Sequence, residues 1–220
     1  MAGDFDEALL AGLPGPVAGV DEVGRGPWAG PLVAAAALPL AGVALPAGLA
    51  DSKALTPGRR ETLAAEIRAA MPVAIAVVEA AEIDALGLGP ANDAAMRRAA
   101  ETLAAQAPFG ALAIDGRRVP PGLAWPARAV VRGDARVAAI AAASIVAKVA
   151  RDAVMVALEA RHPGYGWARN KGYGTAEHAA ALARLGPTAE HRRCFKPVRE
   201  AMGRVAPSTH PADGCGVSDS

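Results

Sequence analysis

The residues best suited to chemistry are acids. Asp21, Asp115 and Asp134 share one setting, in GVDE (19–22), AIDG (113–116) and VRGD (131–134): each closes an apolar run beside glycine or a turn, and Glu22 doubles the first. In sheets with helical crossovers, ligands gather outside the carboxyl ends of the strands. If these runs are neighbouring parallel strands, three carboxylates converge, and they repel unless one takes a proton or a cation sits between them. Oxygen-only ligands select Mg2+ or Mn2+ over zinc. Two such ions about 4 Å apart clamp both oxygens in phosphodiester cleavage. Turn chemistry accounts for any one Asp beside Gly; three at matching positions favour a metal site. Adjacent strand residues face opposite sides, so Asp21 and Glu22 can serve one ion only if the strand ends or bends between them, or if a backbone carbonyl replaces one ligand. Gly24 offers a bend.

Basic and hydroxyl groups accompany the acids. GRG (24–26) is not a dinucleotide fingerprint, because Gly24, Gly26 and Gly30 give G-x-G-x-x-x-G and no helical pattern follows. Gly24 and Gly26 let backbone approach a ligand closely, and Arg25 offers a forked donor to phosphate; an ordinary hairpin loop is the plain alternative. Lys53 lies in DSK (51–53), just ahead of a helix. Ser144, Lys148 and Arg151 or Asp152 fall on one face of an otherwise apolar helix. That stripe faces a site, or holds a structural Lys148–Asp152 pair. Lys171 and Tyr173 sit in the glycine-flanked loop NKGYGT (170–175), where a tyrosine can stack on a sugar or base. His191, in HRRCF, reads as a structural hydrogen-bonding residue, with no second histidine at ligand spacing in sequence.

Positioning these groups requires strands and helices in a definite order. Strands are expected at 16–22, 31–38, 72–80, 110–116 and 127–134. Helices are expected at 56–71, with Thr56 as N-cap and Pro57 next, and at 80–87, 91–107, 137–162, 175–186 and about 188–202. A loop spans 163–174. Strands that come first as a run and then alternate with helices imply an α/β fold: a mixed sheet covered by helices, with a helical C-terminal appendage. Residues 1–16 are an N-terminal extension, 17–202 the domain, and 203–220 a tail expected to be disordered.

The chain has 220 residues, 52% of them apolar and only 4% aromatic, so small side chains must do much of the packing. Its net charge is +1, yet residues 161–204 carry nine Lys/Arg against three acids. That asymmetry fits a polyanion-binding face. Cys194 and Cys215 form no CxxC and no disulfide framework. The uncharged stretch 31–50 is long enough to span a bilayer, but Pro31, Pro39 and Pro46 argue for a strand and a loop. An acidic N-terminus is unlike a signal peptide, which leaves a cytoplasmic protein as the expectation.

GVDEVGRGPWAGP, DSKALT, AIDG, GDARVAAIAAASIVAKVARD, YGWARNKGYGT and GPTAEHRRCFKPV, in that order across residues 17–200, resemble bacterial ribonuclease HII, a type 2 ribonuclease H family. The resemblance implies a ribonuclease H-like fold with a five-stranded mixed sheet flanked by helices. It implies an endonuclease that hydrolyses the RNA strand of RNA–DNA hybrids and nicks duplex DNA 5′ of an embedded ribonucleotide, leaving 3′-hydroxyl and 5′-phosphate ends. Mn2+ or Mg2+ is the implied cofactor, as one or two ions, the second arriving with substrate. Asp21, Glu22 and Asp115 match the family's metal ligands, and Asp134 its fourth acid, engaged most fully with substrate bound. Gly24, Arg25 and Gly26 match the part that senses the ribose 2′-hydroxyl, the local group that separates RNA from DNA. Tyr173 matches the tyrosine that stacks on sugar at the junction, and Lys53, Ser144 and Lys148 match phosphate-side contacts. The implied partners are RNA–DNA hybrid and ribonucleotide-containing duplex, with no membrane, for a monomer. Trp28, where an aliphatic residue is usual, Arg117, where asparagine is frequent, and Cys194, in place of a small hydroxyl residue, are the departures. The rivals are another nuclease or integrase of this fold, which would lack the GRG and GYGT elements, and a hybrid-binding protein without turnover.

Overall fold

The computed structural model describes residues 5–49 and 55–204. Five strands form one sheet: β1 (Val17–Val23), β2 (Leu32–Ala37), β3 (Val73–Val78), β4 (Ala111–Asp115) and β5 (Ala127–Val130). Their order is β3-β2-β1-β4-β5. β1 pairs antiparallel with β2 and parallel with β4, and β4 pairs parallel with β5. The sheet is therefore mixed, and β1, β4 and β5 end on the same edge.

Alternation decides what each face carries. Ala18, Val20, Ala34, Ala36, Leu112 and Ile114 turn to one side, against Ala91, Ala95, Met96, Ala99 and Leu103. These last belong to α3 (Leu88–Ala104), which follows the short α2 (Ala80–Leu86). Val33, Ala35 and Ala37 turn to the other side, against α4 (Ala138–Arg161) and α1 (Pro57–Ala70). Every residue of β2 is buried, as in a strand covered on both faces. The alanine-rich composition has its consequence here. α4 rides so close to β1 that a Cβ on Gly19 would lie 2.1 Å from the Ala139 carbonyl carbon.

Thr56 caps α1 as expected, accepting from the Arg59 N–H at 3.3 Å. α3 begins at Leu88 rather than 91, with Pro90 in its first turn, where the missing N–H costs nothing. The loop expected at 163–174 contains one helical turn, α5 (Trp167–Asn170), followed by α6 (Ala176–Leu185) capped by Thr175. The helix expected from 188 starts only at Lys196 and forms α7 (Lys196–Arg204). Residues before it are claimed by tertiary contacts: His191 makes an isolated β-bridge with Ala29, and the Arg192 N–H donates to the Trp28 carbonyl at 2.8 Å. Among the described residues, no helix is long and apolar enough to cross a membrane.

Candidate active site

β1 and β4 run parallel, with Val20 opposite Ile114. The next residues along are Asp21 and Asp115, so the two carboxylates leave neighbouring strands at the same edge. Alternation turns both toward α4. The third expected acid arrives differently. β5 stops at Val130, and Asp134 sits in a 3-10 turn, Gly133–Ala135, instead of closing the strand. The chain gets there through Arg132, which adopts the left-handed conformation (φ 56°). The Gly133 N–H then donates to Asp115 Oδ1 at 2.7 Å, fastening the turn to β4.

Glu22 departs from the simplest expectation. The strand neither ends nor bends between positions 21 and 22: pairing with β2 continues through Val23, and the turn comes at Gly24 (φ 94°). Glu22 consequently faces the α3 side, and reaches the common edge from there. It lines a cleft of about 280 Å3 with Asp134, Ser144, Lys148 and Arg60. It also lines a smaller one of about 70 Å3 with Asp115, Arg25 and Asn92. Among the described residues, no three acids, histidines or cysteines already form a chelating group.

The electrostatics show what the edge lacks. Asp21 is 7% exposed. Burial first, then the nearby Asp115 and Glu22 charges, push its carboxyl up to about 8, against the lowering effect of a hydrogen bond with the Ser144 side chain. Its Oδ1 also accepts from the Glu22 N–H at 2.8 Å. Glu22 is raised as well, mainly by burial and further by Asp115, while Arg25 pulls it down. Carboxyls raised by burial and by neighbouring carboxylate charge call for a positive charge, and an all-oxygen donor set suits a hard divalent cation. The residues present fit Mg2+ or Mn2+ on those grounds.

The basic side of the site is built differently. Arg25 Nη1 lies 3.5 Å from Glu22 Oε1 and is largely solvent-facing. Tyr173 is 46% exposed, and its ring stands 3.4 Å from where a Cβ on Gly26 would be. The glycine loop and the Tyr173 loop are joined by the Trp28 N–H to the Gly172 carbonyl at 2.8 Å. Trp28 covers Gly174 so closely that a Cβ there would lie 2.1 Å from the indole. Ser144 and Lys148 face the acid cleft, Lys148 pairing with Asp152 at 2.6 Å. Arg151 does not share that stripe; it is fully buried under the glycine loop. Lys53 lies outside the described residues.

Sequence spacing did not reveal the histidine network beneath Tyr173. Trp167 Nε1–H donates to His178 Nε2 at 3.1 Å, which makes that nitrogen an acceptor and leaves Nδ1–H to donate to the Tyr173 carbonyl at 2.9 Å. His191 Nε2–H then donates to His178 Nε2 at 3.1 Å, while its Nδ1 accepts from the Thr188 N–H at 3.0 Å. Both rings are neutral in this pattern. Burial lowers His178 and pushes His191 down to about 3. A second histidine thus does meet His191 in space, but as a hydrogen-bond partner.

A mixed five-stranded sheet of this order, with acids at the ends of its central parallel strands, is the ribonuclease H-like fold. The chain superposes on ribonuclease H2 from Pyrococcus horikoshii OT3 with a TM-score of 0.67 and 27% identity, covering 86% of this chain and 97% of that one. It also superposes on Bst-RNase HIII in complex with Mn2+, with a TM-score of 0.71 and 21% identity over 89% and 72% of the two chains. In sequence, ribonuclease HII from Jannaschia sp. (strain CCS1) is 53% identical over 203 residues, 92% of this chain and 99% of that protein. The profile of the ribonuclease HII family matches residues 18–198, and the chain belongs to that family.

Proposed function

We propose that this ribonuclease H hydrolyses the RNA strand of RNA–DNA hybrids and nicks duplex DNA on the 5′ side of an embedded ribonucleotide, leaving 3′-hydroxyl and 5′-phosphate ends. Asp21, Glu22, Asp115 and Asp134 are the residues that would hold Mg2+ or Mn2+, Glu22 by its side chain around the sheet edge or by its backbone carbonyl. Bound there, such ions supply Lewis acidity at the phosphoryl group and a more acidic water. The Mn2+ complex of the Bst protein supports divalent chemistry on this fold.

The chain's own residues divide the remaining work. Ser144 orients the Asp21 carboxylate. Gly24 and Gly26 bring backbone up to the ribose, where the 2′-hydroxyl is the group to be read. Arg25 reaches the adjoining phosphate with a forked guanidinium. Tyr173 stacks on the neighbouring sugar, and Lys148 and Lys53 lie along the phosphate path.

The observation that carries this function is the placing of Asp21 and Asp115 at neighbouring strand ends, with the turn that bears Asp134 fastened to Asp115, beside a glycine loop that stands against Tyr173. An end-labelled DNA duplex with one ribonucleotide tests it. The expected product is a nick immediately 5′ of that ribose, absent in metal-free buffer. Equal cleavage of an all-DNA duplex would remove the role given to residues 24–26.

A further inference from the structure

Two arginines are buried completely behind the glycine loop, and the groups they bond are carbonyls rather than carboxylates. Arg151, on α4, donates from Nε to the Pro31 carbonyl at 2.9 Å, from Nη1 to Lys171 at 3.0 Å and from Nη2 to Ala29 at 3.3 Å. Arg192 donates from Nε to the Gly30 carbonyl at 2.8 Å and from Nη1 to the Arg25 carbonyl at 3.3 Å. Both side chains are 0% exposed. Arg192 Nη2 is buried with no hydrogen-bond partner. Burial first, and then the like charge of Arg151, push the Arg192 guanidinium down to about 10, still charged at neutral pH. A buried guanidinium with one donor group unmet is unfavourable for stability on its own, so its main-chain bonds need another account.

The carbonyls supply the reason. They come from residues 25, 29, 30, 31 and 171, on the two loops that stand over the site. Of these, the Arg25–Gly26 peptide lies within GRG itself. A trans peptide is planar, so fixing the Arg25 carbonyl inward on Arg192 sends the Gly26 N–H outward. No cis peptide occurs among the described residues. Gly26 is also the residue whose open face meets the Tyr173 ring. Only a rigid fork with several donors can hold carbonyls of adjacent turns in a fixed relation; an ammonium binds as a point charge.

We infer that Arg192 is a positioning residue for ribonucleotide discrimination: it pins the Arg25 carbonyl so that the Gly26 N–H is presented to the ribose 2′-hydroxyl of the bound strand. This rests on the proposed function of the glycine loop. Arg192 itself touches no nucleotide.

The test compares wild type with Arg192→Lys and Arg192→Gln, using Ca2+ to hold substrate uncut. Affinity is measured for two duplexes that differ only by one 2′-hydroxyl, across a salt series. The ratio of the two affinities is expected to fall about tenfold in both variants, the worth of one hydrogen bond. Affinity for the all-DNA duplex and its salt slope should stay unchanged, since no phosphate contact is removed. A merely structural role would lower both affinities together. If neither variant folds, the Gly26 amide resonance of wild type answers instead. It should shift on binding the ribonucleotide duplex and not the all-DNA duplex. An unchanged affinity ratio, or a Gly26 amide indifferent to the 2′-hydroxyl, overturns the inference. Wild type that makes no nick at a ribonucleotide overturns the proposed function, and this inference with it.

Discussion

The acidic edge and the glycine-loop side are built on opposite plans. At the edge, burial and then the Asp115 charge raise the Asp21 and Glu22 carboxyls, with Glu22 adding to the shift at Asp21, leaving a demand for positive charge. Behind the loop, Arg151, Arg192, His178 and His191 are just as buried, but carbonyls and neighbouring rings take up most of their donors. The edge is assembled by charges that a cation must reconcile, whereas the loop is fixed in advance by hydrogen bonds. On the proposed function, chemistry that depends on a metal would stand beside a reader that does not.

The largest expected effect comes from breaking the edge. Asp21→Asn should cut cleavage at least about a thousandfold, as when an essential group is removed. The same substitution should stabilise the metal-free protein. A carboxyl raised from 3.8 to about 8 in the fold keeps its proton there while the unfolded chain loses it. Metal-free stability therefore falls as pH rises from about 4 to about 8, and Asn removes that slope. Thermal melts at pH 5 and 8 with a chelator, with and without the substitution, check the sign.

Next is Gly24→Ala. The position has φ 94°, and a Cβ there would lie 2.2 Å from Arg151 Nε and 2.9 Å from the Pro31 carbonyl oxygen. A loss of about 2–3 kcal/mol in stability is expected from strain and displacement of the buried guanidinium, measured by urea unfolding. His178→Phe should cost about 1–3 kcal/mol by orphaning the Tyr173 carbonyl and His191. Its pH dependence runs opposite to that of Asp21. His191 is pushed down to about 3, so stability is present above the ordinary histidine range and is lost as pH falls toward that value. The smallest effect belongs to Arg25→Ala. Its ion pair with Glu22 is long and largely exposed, so stability should change by less than about 1 kcal/mol. Binding of duplex should nonetheless lose about one unit of salt slope if Arg25 meets a phosphate.

The two regions also differ in how far the sequence revealed them. Asp21 and Asp115 were visible because each closes an apolar run, and the parallel pairing of β1 with β4 follows from strands separated by helices. Asp134 was assigned to a strand end because nothing in VRGD announces that Arg132 turns left-handed. The opposed faces of Asp21 and Glu22 followed from alternation, but the persistence of β1 past Glu22 depends on pairing with β2. Arg151 and Arg192 gave little sign of their role. Their acceptors are main-chain atoms, those of the two Nε–H groups 120 and 162 positions away, and backbone carbonyls carry no sequence signal. Residues 188–195 looked helical for the same reason: local pattern is silent about a segment held by Trp28 and Ala29.

The division between a prebuilt reader and a cation-dependent edge is tested most directly by binding before cutting. The protein is mixed, in chelator, with duplexes that carry or lack one ribonucleotide; affinity is measured and Mn2+ is then added. Preference for the ribonucleotide duplex should already be present without metal, with no cleavage until Mn2+ arrives and a single nick 5′ of the ribose thereafter. Cleavage in chelator, or a preference that exists only once metal is bound, would contradict the account.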